Sequence, residues 1–77
     1  MLYYQVQVQK LDKSWEALGA SFETRAEAQR RMLEYFMGHY DWVGVFVAIR
    51  LASVWLRSDK VWTIKEILEY RDIKQSK

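Results

Sequence analysis

The chain has no cysteine and no proline, and only three glycines and one histidine in 77 residues. Without cysteine there are no disulfides, no thiolate metal sites and no cysteine nucleophile, a usage that fits a reducing cytoplasm. One histidine, His39, cannot build a histidine-based zinc site alone. It sits where a helix-to-strand loop is expected, with no nucleophile in its sequence context to serve. No glycine-rich phosphate loop is present. Ser14, Ser21, Ser53, Ser58 and Ser76 lack a nucleophile-elbow context. Asp12, Asp41, Asp59 and Asp72 are scattered without the spacing of a calcium loop or an acid/base pair. No cofactor is expected, and the chain reads as a non-enzyme.

Long apolar runs are also missing. "YDWVGVFVAI" is far short of the ~20 residues that span a bilayer, and "MLYYQVQVQK" alternates where a secretory leader has an unbroken apolar stretch. No repeat, low-complexity tract or linker interrupts the chain. The three glycines, Gly19, Gly38 and Gly44, fall near expected ends or bends of elements.

What is abundant is aromatic surface: four Trp, five Tyr and three Phe. Each ring can bury roughly 150–250 Å². A chain this short is one domain, residues 1–77, of marginal stability unless its core is dense or a second copy supports it. Its net charge is +2, with an isoelectric point of about 9.0.

Residues 2 to 10 alternate, with Leu2, Tyr4, Val6 and Val8 on one side and Tyr3, Gln5, Gln7 and Gln9 on the other, the period of a half-buried strand. "KLDKS" is a polar turn, and "WEALGASF" alternates less cleanly, giving a first hairpin. In "TRAEAQRRMLEYFMG", Thr24 and Glu27 form a capping box, predicting a helix over 25–37 with Gly38 as its C-terminal cap. Ala26, Gln29, Leu33, Phe36, Met37 and Tyr40 form its expected apolar stripe, bordered by Met32. Glu27 and Arg31 are expected to pair on the outer side. "VGVFVAIRLASVW" is rich in β-branched residues and predicts a long strand over 44–56.

"VWTIKEILEY" carries both helix and strand signals. Thr63 and Glu66 offer a second capping box, while Trp62, Ile64, Leu68 and Tyr70 alternate as a strand. Pairing with the preceding strand through the turn "RSDK" favours the strand, the alternative being a helix over 63–74. In that pairing Trp55 falls near Trp62, Ser53 near Ile64, Ile49 near Leu68 and Val47 near Tyr70, so both strands offer their apolar parity to one side. Arg50 then lies beside Lys65, Glu69 and Arg71 on the solvent side. The expected architecture is α+β, ββαββ: two hairpins in an antiparallel sheet with one amphipathic helix on one face. One helix cannot cover four long strands, so apolar sheet surface is left for a partner.

Trp, Tyr and Arg dominate binding hot spots, which nominates Trp55, Arg57, Trp62, Trp42, Tyr40, Arg50 and Arg71 as partner-binding residues. The expected function is a non-catalytic protein–protein interaction module, binding a protein partner and itself a homodimer. The alternative is a nucleic-acid-binding module. In it Arg25, Arg30, Arg31, Arg50, Arg57, Lys60, Lys65 and Arg71 hold phosphates while Tyr3, Trp55 and Trp62 stack bases. Glu23, Glu27, Glu34, Glu66 and Glu69 dilute that basic surface.

"LGASFETRAEAQRRMLEY" resembles a strand-to-helix junction of small phage and prophage proteins, with an F-x-T-x-x-E-A pattern at Phe22, Thr24, Glu27 and Ala28. Small size, absent Cys and Pro and excess aromatics are similar to phage-encoded inhibitors of bacterial defence, including anti-CRISPR proteins. That resemblance implies an inhibitor that occludes a site on a host complex without catalysis.

Overall fold

The computed structural model describes residues 1–38 and 44–73. Five elements follow one another: β1 (Leu2–Lys10), β2 (Trp15–Ala17), α1 (Arg25–Gly38), β3 (Phe46–Leu56) and β4 (Trp62–Asp72). The strands form one antiparallel sheet in the order β2-β1-β3-β4. The ββαββ architecture is therefore the one the alternation and the capping box predict, and "VWTIKEILEY" is a strand. The molecule measures 44 × 26 × 17 Å, the short dimension matching one sheet under one helix of about 10 Å diameter.

Both hairpins close through the same local chemistry. In "KLDKS" and in "RSDKV" an Asp accepts a hydrogen bond from the backbone N–H two residues on: Asp12 Oδ1 from Ser14 at 2.9 Å, and Asp59 Oδ1 from Val61 at 3.3 Å. The following residue is left-handed in each, Lys13 with φ 76° and Lys60 with φ 64°. Backbone bonds join Lys10 N–H to the Ser14 carbonyl (2.8 Å) and Arg57 N–H to the Val61 carbonyl (3.1 Å). An Asp that ties down its own turn and a residue in the left-handed region make a three-residue hairpin loop. The two tips lie at opposite ends of the sheet.

β2 stops at Ala17, earlier than the alternation of "WEALGASF" suggests. Gly19 takes φ +78°, and a Cβ there would stand 2.9 Å from the Tyr35 hydroxyl oxygen. The chain swings away from the sheet and touches it again through the Tyr4–Phe22 bridge. α1 then starts as expected, with Glu27 N–H donating to Thr24 Oγ1 (3.3 Å) and the Thr24 hydroxyl donating to Glu27 Oε1 (2.9 Å).

The core lies between α1 and one face of the sheet. Val6 and Val8 of β1, Ile49 and Leu51 of β3, and Ala28 and Met32 of α1 are buried, with Tyr4, Leu18, Phe22, Tyr35, Phe46, Leu68 and Ile73 packed around them. Each fully buried aliphatic contributes about 1.5–3 kcal/mol relative to exposure. The helix stripe is a correction: the buried positions are Ala28 and Met32 with Tyr35 beside them, while Ala26, Gln29, Leu33, Phe36 and Met37 are exposed. Tyr40 lies outside the described residues. Relative to the expected stripe, α1 is turned by about a third of a turn. Counting large apolar residues selects the wrong side, because the side nearest the sheet uses a small residue, Ala28, and a pliable one, Met32. The Glu27–Arg31 pair is replaced by Arg31 with Glu34 at 3.4 Å.

The register of β3 with β4 is a second correction. Trp55 pairs with Thr63, Val54 with Ile64, Ala52 with Ile67, Arg50 with Tyr70 and Ile49 with Arg71, with irregularities between Leu51 and Ala52 and between Ser53 and Val54. The tip places Leu56 opposite Trp62, one residue off the expected match, and a one-residue slip sends every side chain to the other face. The slip turns Trp62 and Ile64 to the face away from α1, and the two irregularities set Ile67 and Tyr70 on that same face. Trp55 and Trp62 are on opposite faces. Arg50 shares its face with Tyr70, not with Lys65, Glu69 and Arg71.

Candidate functional site

The face away from α1 is built by Tyr3, Gln5, Gln7 and Gln9 of β1, Trp15 and Ala17 of β2, Ala48, Arg50, Ala52, Val54 and Leu56 of β3, and Trp62, Ile64, Ile67, Tyr70 and Asp72 of β4. Among the described residues no helix covers it, yet Ala48, Ala52 and Val54 are buried. Long side chains lying across the sheet bury them. At one end Tyr3 meets Trp62 edge to face at 5.6 Å, reaching over Val54 from strands on either side of β3. At the other end the Arg50 guanidinium stacks over the Trp15 ring at 3.8 Å, and Trp15 meets Tyr70 edge to face at 6.1 Å. Trp15 and Tyr70 come from the two outermost strands, so this brace spans the whole sheet.

Between the braces runs a polar chain. Gln5 Nε2 donates to Ser21 Oγ (2.9 Å), Gln7 Nε2 to Gln5 Oε1 (3.1 Å) and Arg50 Nε to Gln7 Oε1 (2.8 Å). The glutamines are buried, and each buried amide is answered as burial demands. Desolvation pulls the Arg50 pKa below its ordinary value, with nearby Tyr70 acting the other way. Tyr70 donates its hydroxyl to Asp72 Oδ1 at 3.0 Å, and this bond, ahead of desolvation and the Asp72 charge, raises its pKa above the usual phenol value. Both charged groups on the face are thus engaged within the chain.

The β4 side of this face remains exposed: Trp62 is 43% accessible, Ile64 44%, Ile67 41% and Tyr70 52%, against 1% for Val54 beneath them. Four large side chains in a row on one strand form a contiguous apolar patch of the kind that marks a partner surface.

Trp55 lies on the helix side of the sheet, 47% exposed. With Arg57, Thr63, Ile64 and Lys65 it lines a shallow groove of about 430 Å³. Arg57 is held by Asp59 at 3.2 Å. Arg71, also on the helix side, stacks over the Phe36 ring at 5.5 Å. The nominated residues therefore fall in three places: Trp62 and Arg50 on the open face, Trp55 and Arg57 at the groove, and Arg71 against α1. Trp42, Tyr40 and His39 lie outside the described residues. Tyr3, Trp15, Ile64, Ile67 and Tyr70 were not nominated for the open face. The alternation of β1 and β4 carried that signal, once the register is known.

Among the described residues no group of three or more His, Cys, Asp or Glu side chains is placed to hold a metal ion, and no helix is long and apolar enough to cross a membrane. Comparison with family models, with curated proteins and with solved structures finds no match.

Proposed function

We propose that this chain is a non-catalytic protein-binding module that works through the open face of its sheet. The observation that carries the reading is the exposed row Trp62, Ile64, Ile67 and Tyr70 on a face that α1 leaves bare. The groups on that face with chemical capability, Arg50, Tyr70 and Asp72, are occupied with Gln7, Trp15 and each other. They serve to hold a binding surface in shape. A buried aromatic at the centre of an interface typically carries 2 kcal/mol or more of the affinity. Trp62→Ala is therefore expected to weaken protein binding about thirtyfold, measured by calorimetry or surface plasmon resonance, with circular dichroism showing the fold retained. Unchanged affinity in a folded variant removes this face as the site. Occlusion of a host defence complex, as the resemblance to phage-encoded inhibitors implies, is the form of binding to try first, with the purified complex as the immobilised partner.

A second reading rests on the groove. An exposed Trp55 beside Arg57 and Lys65 offers a ring for a base and two cations for phosphates. It predicts affinity for single-stranded nucleic acid that falls steeply with salt. No shift in an electrophoretic assay at low salt disposes of it.

A further inference from the structure

Three observations on the open face converge. The first is its size. Strands of 9, 3, 11 and 11 residues, about 4.8 Å apart and rising about 3.3 Å per residue, present roughly 540 Å² per copy. Two such faces together bury roughly 1,080 Å², above the about 1,000 Å² that a specific interface should clear. The second is its charge. Its two ions, Arg50 and Asp72, stand at one end, hydrogen-bonded to Gln7 and Tyr70, which leaves Tyr3, Trp62, Ile64 and Ile67 as an apolar remainder for a facing surface. The third is the free edge of β4. Pairing that edge with another strand needs an even row of N–H and C=O groups, and two irregularities against β3 interrupt it, near Lys65 and Leu68. Bulges and a charge on an edge strand block edge-to-edge addition, which leaves the face.

We infer that the open face closes on a second copy of this chain, sheet on sheet, about a two-fold axis that lies between the sheets and runs across the strands. The inference rests on the reading of this face as a protein-binding surface and names its occupant. The two ends of the face differ: Tyr3 and Trp62 stand at one, Trp15, Arg50 and Tyr70 at the other. An axis across the strands sets the aromatic end of one copy over the guanidinium end of the other and keeps the two Arg50 residues at opposite ends of the interface. An axis along the strands would bring both Arg50 residues to the same end, where like charges oppose each other in a desolvated interface. Ile67, paired with Ala52 midway along the face, then lies close to its own mate across the axis. A chain without disulfides gains a second apolar layer in this way.

Sedimentation equilibrium of the full chain from micromolar to millimolar is the test. The mass is expected to rise from 9.3 kDa toward twice that value. Ile67→Asp is expected to weaken self-association about thirtyfold or more, while Trp55→Ala, on the other face, leaves it unchanged. Because the chain has no cysteine, Ile67→Cys under mild oxidation is expected to give a covalent dimer, and Gln29→Cys, on the exposed side of α1, is not. A single 9.3 kDa species at millimolar concentration overturns the inference. If that monomer still binds a different protein in a Trp62-dependent way, the reading of the face stands. A dimer indifferent to Ile67→Asp, or one in which Ile67→Cys fails to cross-link, overturns the placement of the axis.

Discussion

The two faces of this sheet are made dry by different means. Under α1, branched aliphatics from β1 and β3 meet a small and a flexible residue of the helix, and the core is conventional: Val6, Val8, Ile49 and Leu51 are fully buried. On the other face the residues next to the backbone are small, Ala48 and Ala52, and their cover comes from long side chains that lie flat across neighbouring strands. The first face uses a second layer of backbone. The second uses the reach of Trp, Tyr and Arg, which leaves its outer surface apolar and available. A sheet can thus be stable on both sides and still offer one of them to a partner.

The largest expected effect tests the covered face. Leu51→Ala removes a fully buried side chain and should cost about 2–5 kcal/mol in denaturant unfolding, a large part of the stability of a chain this small. A cost below about 1 kcal/mol would show that the helix-side core is not what holds the fold. A smaller effect sharpens the comparison from the other side. Arg50→Ala strips the Trp15 ring of its cation and leaves Gln7 Oε1 without its donor, and is expected to cost about 1–3 kcal/mol. Arg50→Lys keeps the charge but not the planar stack, and should recover only part of that loss. If Arg50→Ala costs as much as Leu51→Ala, the brace is a core in its own right and the contrast between the faces disappears.

The smallest effect belongs to a turn that neither face owns. Ser14 donates to Asp12 from both its hydroxyl (2.6 Å) and its backbone N–H (2.9 Å), which lowers the Asp12 pKa. A carboxylate depressed in the folded state adds stability that is full above its unfolded pKa and is lost as pH falls through the folded one. Asp12 is fully exposed, so the contribution is slight. Asp12→Asn should lower stability slightly near neutral pH, and the difference from the parent should vanish as pH falls through the folded pKa of Asp12. A loss near neutral pH as large as that of Arg50→Ala would mean the turn, not the braces, governs the open face.

Much of the architecture was legible in the chain. The alternation of residues 2 to 10, the capping box at Thr24 and the β-branched run after Gly44 each follow from local periodicity and local hydrogen bonding, and each element formed where that chemistry placed it. The helix was legible as a helix but not in its rotation: Leu33, Phe36 and Met37 outweigh Ala28 and Met32 in apolar surface, and the choice between them depends on how closely the helix approaches the sheet. The candidate site was legible in kind, as aromatic and arginine residues on the second hairpin, but not in membership. Trp55 and Trp62 read as neighbours and stand on opposite faces.

What the sequence by itself determined, then, is which segments are strands and which is a helix, because those choices depend on side chains and backbone groups a few residues apart. Only the tertiary structure decided which face each residue of β4 presents. That depends on a single-residue register at the 57–61 turn, where an Asp-tied loop sets Leu56 against Trp62. Because side chains alternate, that one step moved Trp62 and Ile64 from the core side to the open side, and the two irregularities beyond it set Ile67 and Tyr70 beside them, completing the surface proposed to bind.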